Sequence, residues 1–338
     1  MSLYAAIDLH SNNGVLAILD ESDHVVRLKR LPNDLPTVLS ELAPYRDQLA
    51  GVAVESTFNW YWLIDGLMDH GYPAQLVHAA AVPQYAGLKH GNDDTDACHL
   101  ATLMRLGILP LGHIYPRAQR PTRDLLRRRS QLVRIAVSMM LSMLATWSRY
   151  TGQCLSMKAF LRLTPEQIAH ALPDPTTRVG LQMQFTLWRA IQDQIGHIEA
   201  WVVDHVGHAP DLEGVRSVPG IGKILGLTIV LETGAIDRFA SVGDYASYCR
   251  MVKSERLSNG KKKGEGNRRS GNRYLAWSYI EAANFAIRWS PEIRRWYDRK
   301  RAKRHRMIAI KAVAHKIARA CYYLLRDGTR FEVQRAFA

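Results

Sequence analysis

The sequence predicts an α/β domain followed by a mainly α-helical body, and three observations carry that reading. Before residue 110, short apolar segments bounded by turn residues alternate with helix-period segments. After it, two long stretches keep apolar side chains at three- and four-residue spacing. Charge divides at the same place. Residues 1–110 hold 6 Lys and Arg against 13 Asp and Glu, whereas residues 111–338 hold 39 against 18.

Taken in order, residues 3–10, 13–20 and 23–31 read as three strands. Ser11-Asn12-Asn13 and Asp20-Glu21-Ser22-Asp23 separate them, so an antiparallel meander is expected. A helix is expected from Asp34 to Leu49, with Asp34 as N-cap and Leu35, Val38, Leu39 and Leu42 on one face. Strand Gly51–Glu55, helix Phe58–His70, strand Ala74–His78 and helix Asp94–Leu106 follow. Three antiparallel strands, then parallel additions through helical crossovers, is the order of a ribonuclease-H or RuvC-like sheet.

From Arg117 a basic linker leads into a helix expected over Asp124–Tyr150, and a second over Thr176–Val206. The pair predicts a helical hairpin or coiled coil, suited to oligomerisation or to packing back within the chain, with Met139, Met140 and Met143 as packing surface. The domain boundaries read as 1–115, 116–210 and 211–338. In the last, Ser217-Val218-Pro219-Gly220-Ile221-Gly222-Lys223 opens the apolar helix Ile224–Leu231. Such a turn resembles the hairpin of helix-hairpin-helix DNA binders, where glycines bring backbone N–H groups to a phosphate. A plain helix–turn–helix connection is the alternative.

Residues 250–273 are the most basic stretch, with Arg250, Lys253, Arg256, Lys261, Lys262, Lys263, Arg268, Arg269 and Arg273 against Glu255 and Glu265. The loop 257–267 is too rich in Gly and Lys to pack, so it is expected to be exposed, and mobile or ordered by a polyanion. Helix Tyr274–Arg288 and a basic face over Glu292–Leu325 complete the chain.

Composition bounds the class. With 47% hydrophobic and 22% charged residues, the chain is globular rather than disordered. Cys98, Cys154, Cys249 and Cys321 lie far apart, which points to a reducing cytoplasm and no zinc module. The apolar start is short and carries Asp8, so no signal peptide is expected. No apolar run reaches the roughly 18–20 residues of a membrane span, and Arg134 and several serines break Leu132–Trp147. An acidic head on a basic body fits a metal-using domain joined to a polyanion-binding platform.

The chemistry starts from Asp8, a carboxylate in an apolar strand, where an ionised acid must be paired or metal-bound. Glu55 ends another such strand, and Asp93 and Asp96 stand three apart at a helix start, hence on one side. Asp94 could instead cap that helix. Magnesium takes hard oxygen ligands, and two ions about 3.5–4 Å apart stabilise both oxygens of a phosphoryl transfer. Ser258 taken alone reads as a solvated turn residue with no His to activate it.

Ala6-Ile7-Asp8, Val54-Glu55-Ser56 and Asp93-Asp94-Thr95-Asp96-Ala97 resemble the catalytic blocks of the DEDD-type transposases of the IS110 insertion-sequence family, relatives of the Piv DNA invertase. Ser217–Gly222, then Ser258-Asn259-Gly260-Lys261 with Gly264 and Gly271-Asn272-Arg273-Tyr274-Leu275, resemble that family's carboxyl-terminal signature and serine block. The family's block reads Ser-Gly, whereas Asn259 intervenes here. The resemblance implies that Asp8, Glu55, Asp93 and Asp96 hold magnesium, two ions to a site, and that Ser258 attacks DNA to form a phosphoserine link. It also implies dimers or tetramers with sites shared between protomers, donor and target DNA as substrates, and in some members a structured bridge RNA as guide.

The expectation is therefore a cytoplasmic, nucleoid-associated DNA recombinase with no membrane partner. Its nucleic acid is expected to meet Gly220, Gly222, Lys223, Arg256, Lys261, Lys262, Lys263, Arg268, Arg269 and Arg273. Three alternatives remain: a RuvC-like nuclease that resolves junctions with metal-activated water, an invertase without guide RNA, and a non-catalytic nucleic-acid-binding protein whose acids only cap helices.

Overall fold

The computed structural model describes residues 2–82, 92–206, 210–252, 256–264 and 270–337. It divides into two compact units, one up to Ile114, with which Ser270 is grouped, and one of the other described residues from Tyr115 onward.

The first unit is built on a five-stranded sheet of order β3-β2-β1-β4-β5, with strands β1 (Leu3–Leu9), β2 (Asn13–Leu19), β3 (Val25–Pro32), β4 (Leu49–Glu55) and β5 (Ala74–Val77). β1, β2 and β3 pair antiparallel, and β4 and β5 are added parallel to β1, as the element order predicts. Helices α1 (Leu35–Leu42) and α2 (Tyr61–Asp69) cover one face, burying Ala5, Ile7, Leu9, Val52 and Val54. Helix α3 (Asp93–Arg105) covers the other, over Ala6, Ala53 and Val77. Asp34 caps α1 as expected, but α1 stops at Leu42 and a 3-10 turn runs from Ala43 to Gln48. Pro44 has no N–H for the carbonyl a turn earlier, which ends the α-helix there.

The second unit is mostly helical. Helix α4 (Arg120–Thr151) packs along α7 (Pro175–Val206), with short helices α5 (Met157–Phe160) and α6 (Pro165–Ala171) between them. Met140, Met143 and Trp147 of α4 meet Phe160, Leu172 and Leu181 in a small core of their own. Among the described residues α4 is the one helix long and apolar enough, by length and composition alone, to cross a membrane. Its apolar stretch is the expected Leu132–Trp147, flanked by Ser130-Gln131 and Ser148-Arg149 and interrupted by Arg134.

Helices α8 (Pro210–Arg216), α9 (Lys223–Thr233) and α10 (Val242–Tyr248) precede a hairpin of β6 (Arg256–Ser258) and β7 (Lys261–Gly264). Helices α11 (Arg273–Trp289), α12 (Pro291–Arg301), α13 (Arg306–Asp327) and α14 (Val333–Phe337) close a core of Leu275, Tyr279, Ala283, Val313 and Ile317. The Gly- and Lys-rich loop 257–267, expected to be exposed and mobile or ordered by a polyanion, is in its described part this β-hairpin. Asn259 and Gly260 sit at φ 51° and 70°, the two left-handed positions of a two-residue turn. Hydrogen bonding across the turn settles a segment whose side chains cannot form a core.

Candidate functional site

Side-chain alternation places the first two acids. In β1 the residues Ala6 and Asp8 share the face covered by α3, and in β4 Ala53 and Glu55 do the same. The parallel register aligns Ala6 with Ala53 and Ile7 with Val54, so Asp8 and Glu55 end neighbouring strands side by side. Asp8 is 4% exposed, and its carboxyl hydrogen-bonds that of Glu55. Burial raises Glu55 to about 8, helped by the bond to Asp8 and by the charges of Asp8 and Asp96.

The other two acids come from the start of α3. Asn92 caps this helix, accepting from Thr95 N at 2.9 Å while Thr95 Oγ1 accepts from Asn92 N. Asp94, weighed above as a cap, is instead an exposed residue inside the first turn. Asp93 is half-buried and Asp96 exposed. Arg30 Nη2 donates to Asp93 Oδ2 at 2.7 Å, and this bond holds the Asp93 carboxyl below the usual range.

Two members of the site, His10 and Arg30, escaped the sequence reading. His10 Nε2 lies 3.4 Å from Asp8 Oδ2 and 3.3 Å from Asp93 Oδ2. Ligand atoms of Asp8, His10 and Asp93 all fall within 4.8 Å of one another, the spacing that one cation can bridge. The signal for His10 was its place two residues after Asp8, on the same strand parity. For Arg30 no sequence signal existed, because only the pairing of β3 with β2 brings it there.

The donor set fits a divalent cation. Hard carboxylate oxygens outnumber the nearby positive groups, and a cation would offset both the burial of the Glu55 carboxylate and its repulsion by Asp8 and Asp96.

The remaining predicted residues belong to the second unit. Ser258 ends β6 exposed, paired across the ladder with Lys261. Lys261, Lys263, Lys223 and Arg273 are exposed, and Arg273 Nη2 donates to Tyr274 Oη at 2.9 Å. Arg268 and Arg269 lie outside the described residues, as do the side chains of Arg256 and Lys262. The two turn glycines differ. A Cβ on Gly220, at φ +93°, would meet Ala286 N at 2.5 Å and Ala282 O at 2.6 Å, so the turn needs this glycine to pack on α11. A Cβ on Gly222, the N-cap of α9, would meet nothing within 4 Å, which leaves that helix start open to a ligand.

Comparison with known proteins bears on both units. Residues 5–149 match the family model of the IS110-type DEDD transposases, and residues 212–298 match that of the transposase IS116/IS110/IS902 family. The chain belongs to the IS110 family of transposases. It is 33% identical over 147 residues to the insertion element IS900 uncharacterized 42 kDa protein of Mycobacterium paratuberculosis, covering 41% of this chain and 35% of that one. It is 22% identical over 175 residues to the transposase for insertion sequence element IS1328 of Yersinia enterocolitica, covering 51% and 52%. The chain thus matches about a third and about half of the length of these two relatives.

Proposed function

We propose that this IS110-family chain is a DNA recombinase of an insertion sequence, which cuts donor and target DNA and rejoins the strands. The observation that carries the reading is the meeting of Asp8, Glu55 and the start of α3 on one face of the five-stranded sheet, with ligand atoms of Asp8 and Asp93 within 4.8 Å of each other. In this reading Asp8, Glu55, Asp93 and Asp96 hold Mg2+, two ions to a site. Bound there, the metal supplies Lewis-acid stabilisation of the phosphoryl oxygens. Ser258 Oγ is the nucleophile. It attacks a DNA phosphorus, the phosphodiester gives way to a phosphoserine ester, and the freed deoxyribose hydroxyl departs.

Exposed Lys261, Lys263, Lys223 and Arg273, together with Arg256, Lys262, Arg268 and Arg269, are proposed to hold nucleic acid, including a structured guide RNA. The segment 116–210 is proposed to associate copies into a dimer or tetramer through its helical pair. Trapping tests the chemistry. Wild-type protein on a nicked end of its element, with Mg2+, should give a covalent protein–DNA adduct that Ser258→Ala lacks and Asp8→Ala forms only in trace. If Ser258→Ala still cuts and rejoins DNA at the wild-type rate, the serine mechanism is wrong and metal-activated water is the nucleophile. A discrete RNA co-purifying with the full-length protein is the expected sign of a guide.

A further inference from the structure

The acids of the candidate centre are not equivalent once His10 is considered with them. Asp8 faces two ways: towards Glu55, to which it is hydrogen-bonded, and towards His10 and Asp93, whose ligand atoms lie within 4.8 Å of its own. Only the second direction offers a nitrogen.

His10 is held as a ligand would be. Its backbone N donates to Asn13 O at 2.8 Å, and its carbonyl accepts from Asn33 Nδ2 at 3.1 Å and Asn59 Nδ2 at 2.9 Å. Two asparagine side chains from separate loops thus fix a residue just past the end of β1. Its Nε2 is closed off from solvent. Among the described residues it makes no directed hydrogen bond, although carboxylate oxygens stand 3.4 and 3.3 Å away. A buried ring nitrogen facing two carboxylates without a directed bond to either is poorly satisfied by the protein alone. A cation between the three groups would satisfy all of them.

We propose that His10 is a direct ligand at this centre, so that one ion position is mixed nitrogen and oxygen and favours Mn2+ over Mg2+. The proposal rests on the metal-centre reading above and deepens it. Magnesium is hard and gains little from imidazole, whereas manganese, a transition-metal ion, accepts nitrogen as well as oxygen donors. The position on the Glu55 side of Asp8 has only oxygen donors and carries no such preference. Arg30, bonded to the Asp93 oxygen that faces His10, steadies that carboxylate in the mixed position.

The test uses the full-length protein with Mn2+ alone as probe. Pulsed electron paramagnetic resonance should show a 14N coupling from a directly bound imidazole, which changes to the 15N pattern when histidine is 15N-labelled. Competition between Mn2+ and Mg2+ should show Mn2+ favoured in the wild type. His10→Ala should lose the coupling and weaken Mn2+ binding by about tenfold, while Mg2+ binding changes less than about twofold. Asp8→Ala separates the two claims. If Mn2+ fails to bind the wild type, or binds Asp8→Ala equally well, the metal centre itself is misread. If binding depends on Asp8 but shows no nitrogen coupling, and the metal preference survives His10→Ala, the metal centre stands and the His10 proposal is overturned. The wild-type spectrum decides even where His10→Ala fails to fold.

Discussion

Glu55 shows how a single residue can report on a site. Its carboxyl is raised to about 8 from 4.5, first by burial and then by Asp8 and Asp96. Because the folded chain keeps a proton that the unfolded chain has released, this group's contribution to stability falls as pH rises between about 4.5 and 8, and is constant outside that window. The metal-free protein should therefore melt at a lower temperature at pH 8 than at pH 5.5, and Glu55→Gln should flatten that slope. A slope that persists unchanged in Glu55→Gln would mean the proton sits elsewhere. A divalent cation selects the carboxylate, so Mg2+ binding at pH 7 should release close to one proton. Calorimetry in two buffers of different ionisation heat measures it, and release should vanish in Glu55→Gln. Asp8 and Glu55 were legible because an acid in an apolar strand is anomalous. Asp20 marks the limit of that logic: it is also buried, yet it accepts from Ser22 N and His24 N and merely closes a turn. His10 and Arg30 lay beyond it, since at strand ends such residues read as solvent-facing until the pairing is known.

Elements explain why some predicted features carry structure and others remain free for function. The Pro-Gly-Ile-Gly turn joins α8 to α9, and its two glycines should respond differently to alanine. Gly220→Ala forces a Cβ into the backbone of α11 at a left-handed φ and should cost about 1–3 kcal/mol. Gly222→Ala meets open space and should cost under about 1 kcal/mol at an N-cap, while weakening nucleic-acid binding if a phosphate approaches there. Thermal melting beside a DNA-binding titration separates the two; unchanged binding by Gly222→Ala would leave the turn a plain connection. The same helix hides a second feature. Glu232 of α9 is 2% exposed, accepting from Arg123 Nε at 3.0 Å, Arg127 Nη2 at 2.8 Å and Asn272 Nδ2 at 2.7 Å. These bonds and charges outweigh burial and hold its carboxyl below the usual range. Glu232→Ala would strand two guanidinium groups between α4, α9 and the cap of α11, so a loss of about 3–5 kcal/mol in chemical denaturation is expected. A loss below about 1 kcal/mol would mean water replaces the carboxylate. The sequence reading ended α9 at Leu231, one residue short of this acid, because it followed the apolar run. It also passed over Asn259-Gly260, a strong short hairpin signal, because the glycines and lysines around it spoke for an exposed loop, mobile or ordered by a polyanion.

At the scale of the whole molecule, charge is the property on which the proposed partners depend. The segment 111–338 carries 39 Lys and Arg against 18 Asp and Glu, far more than any single interface uses. Total charge therefore cannot identify the residues that touch nucleic acid, but salt dependence can. Each phosphate neutralised adds about 0.9 to the slope of log affinity against log salt for duplex DNA. Consider two variants of the full chain: Lys261→Ala with Lys263→Ala and Arg273→Ala, and Arg295→Ala with Arg299→Ala and Lys300→Ala on α12. All six residues are exposed, and each variant removes three positive charges, so the long-range field weakens equally. If the hairpin and the start of α11 hold phosphates, the first variant should lower the slope by about 1 for each phosphate it no longer neutralises, while the second leaves it nearly unchanged. Equal slopes in both variants would make the residues around Ser258 a solvated face. They would then remove the electrostatic support for placing that serine against DNA.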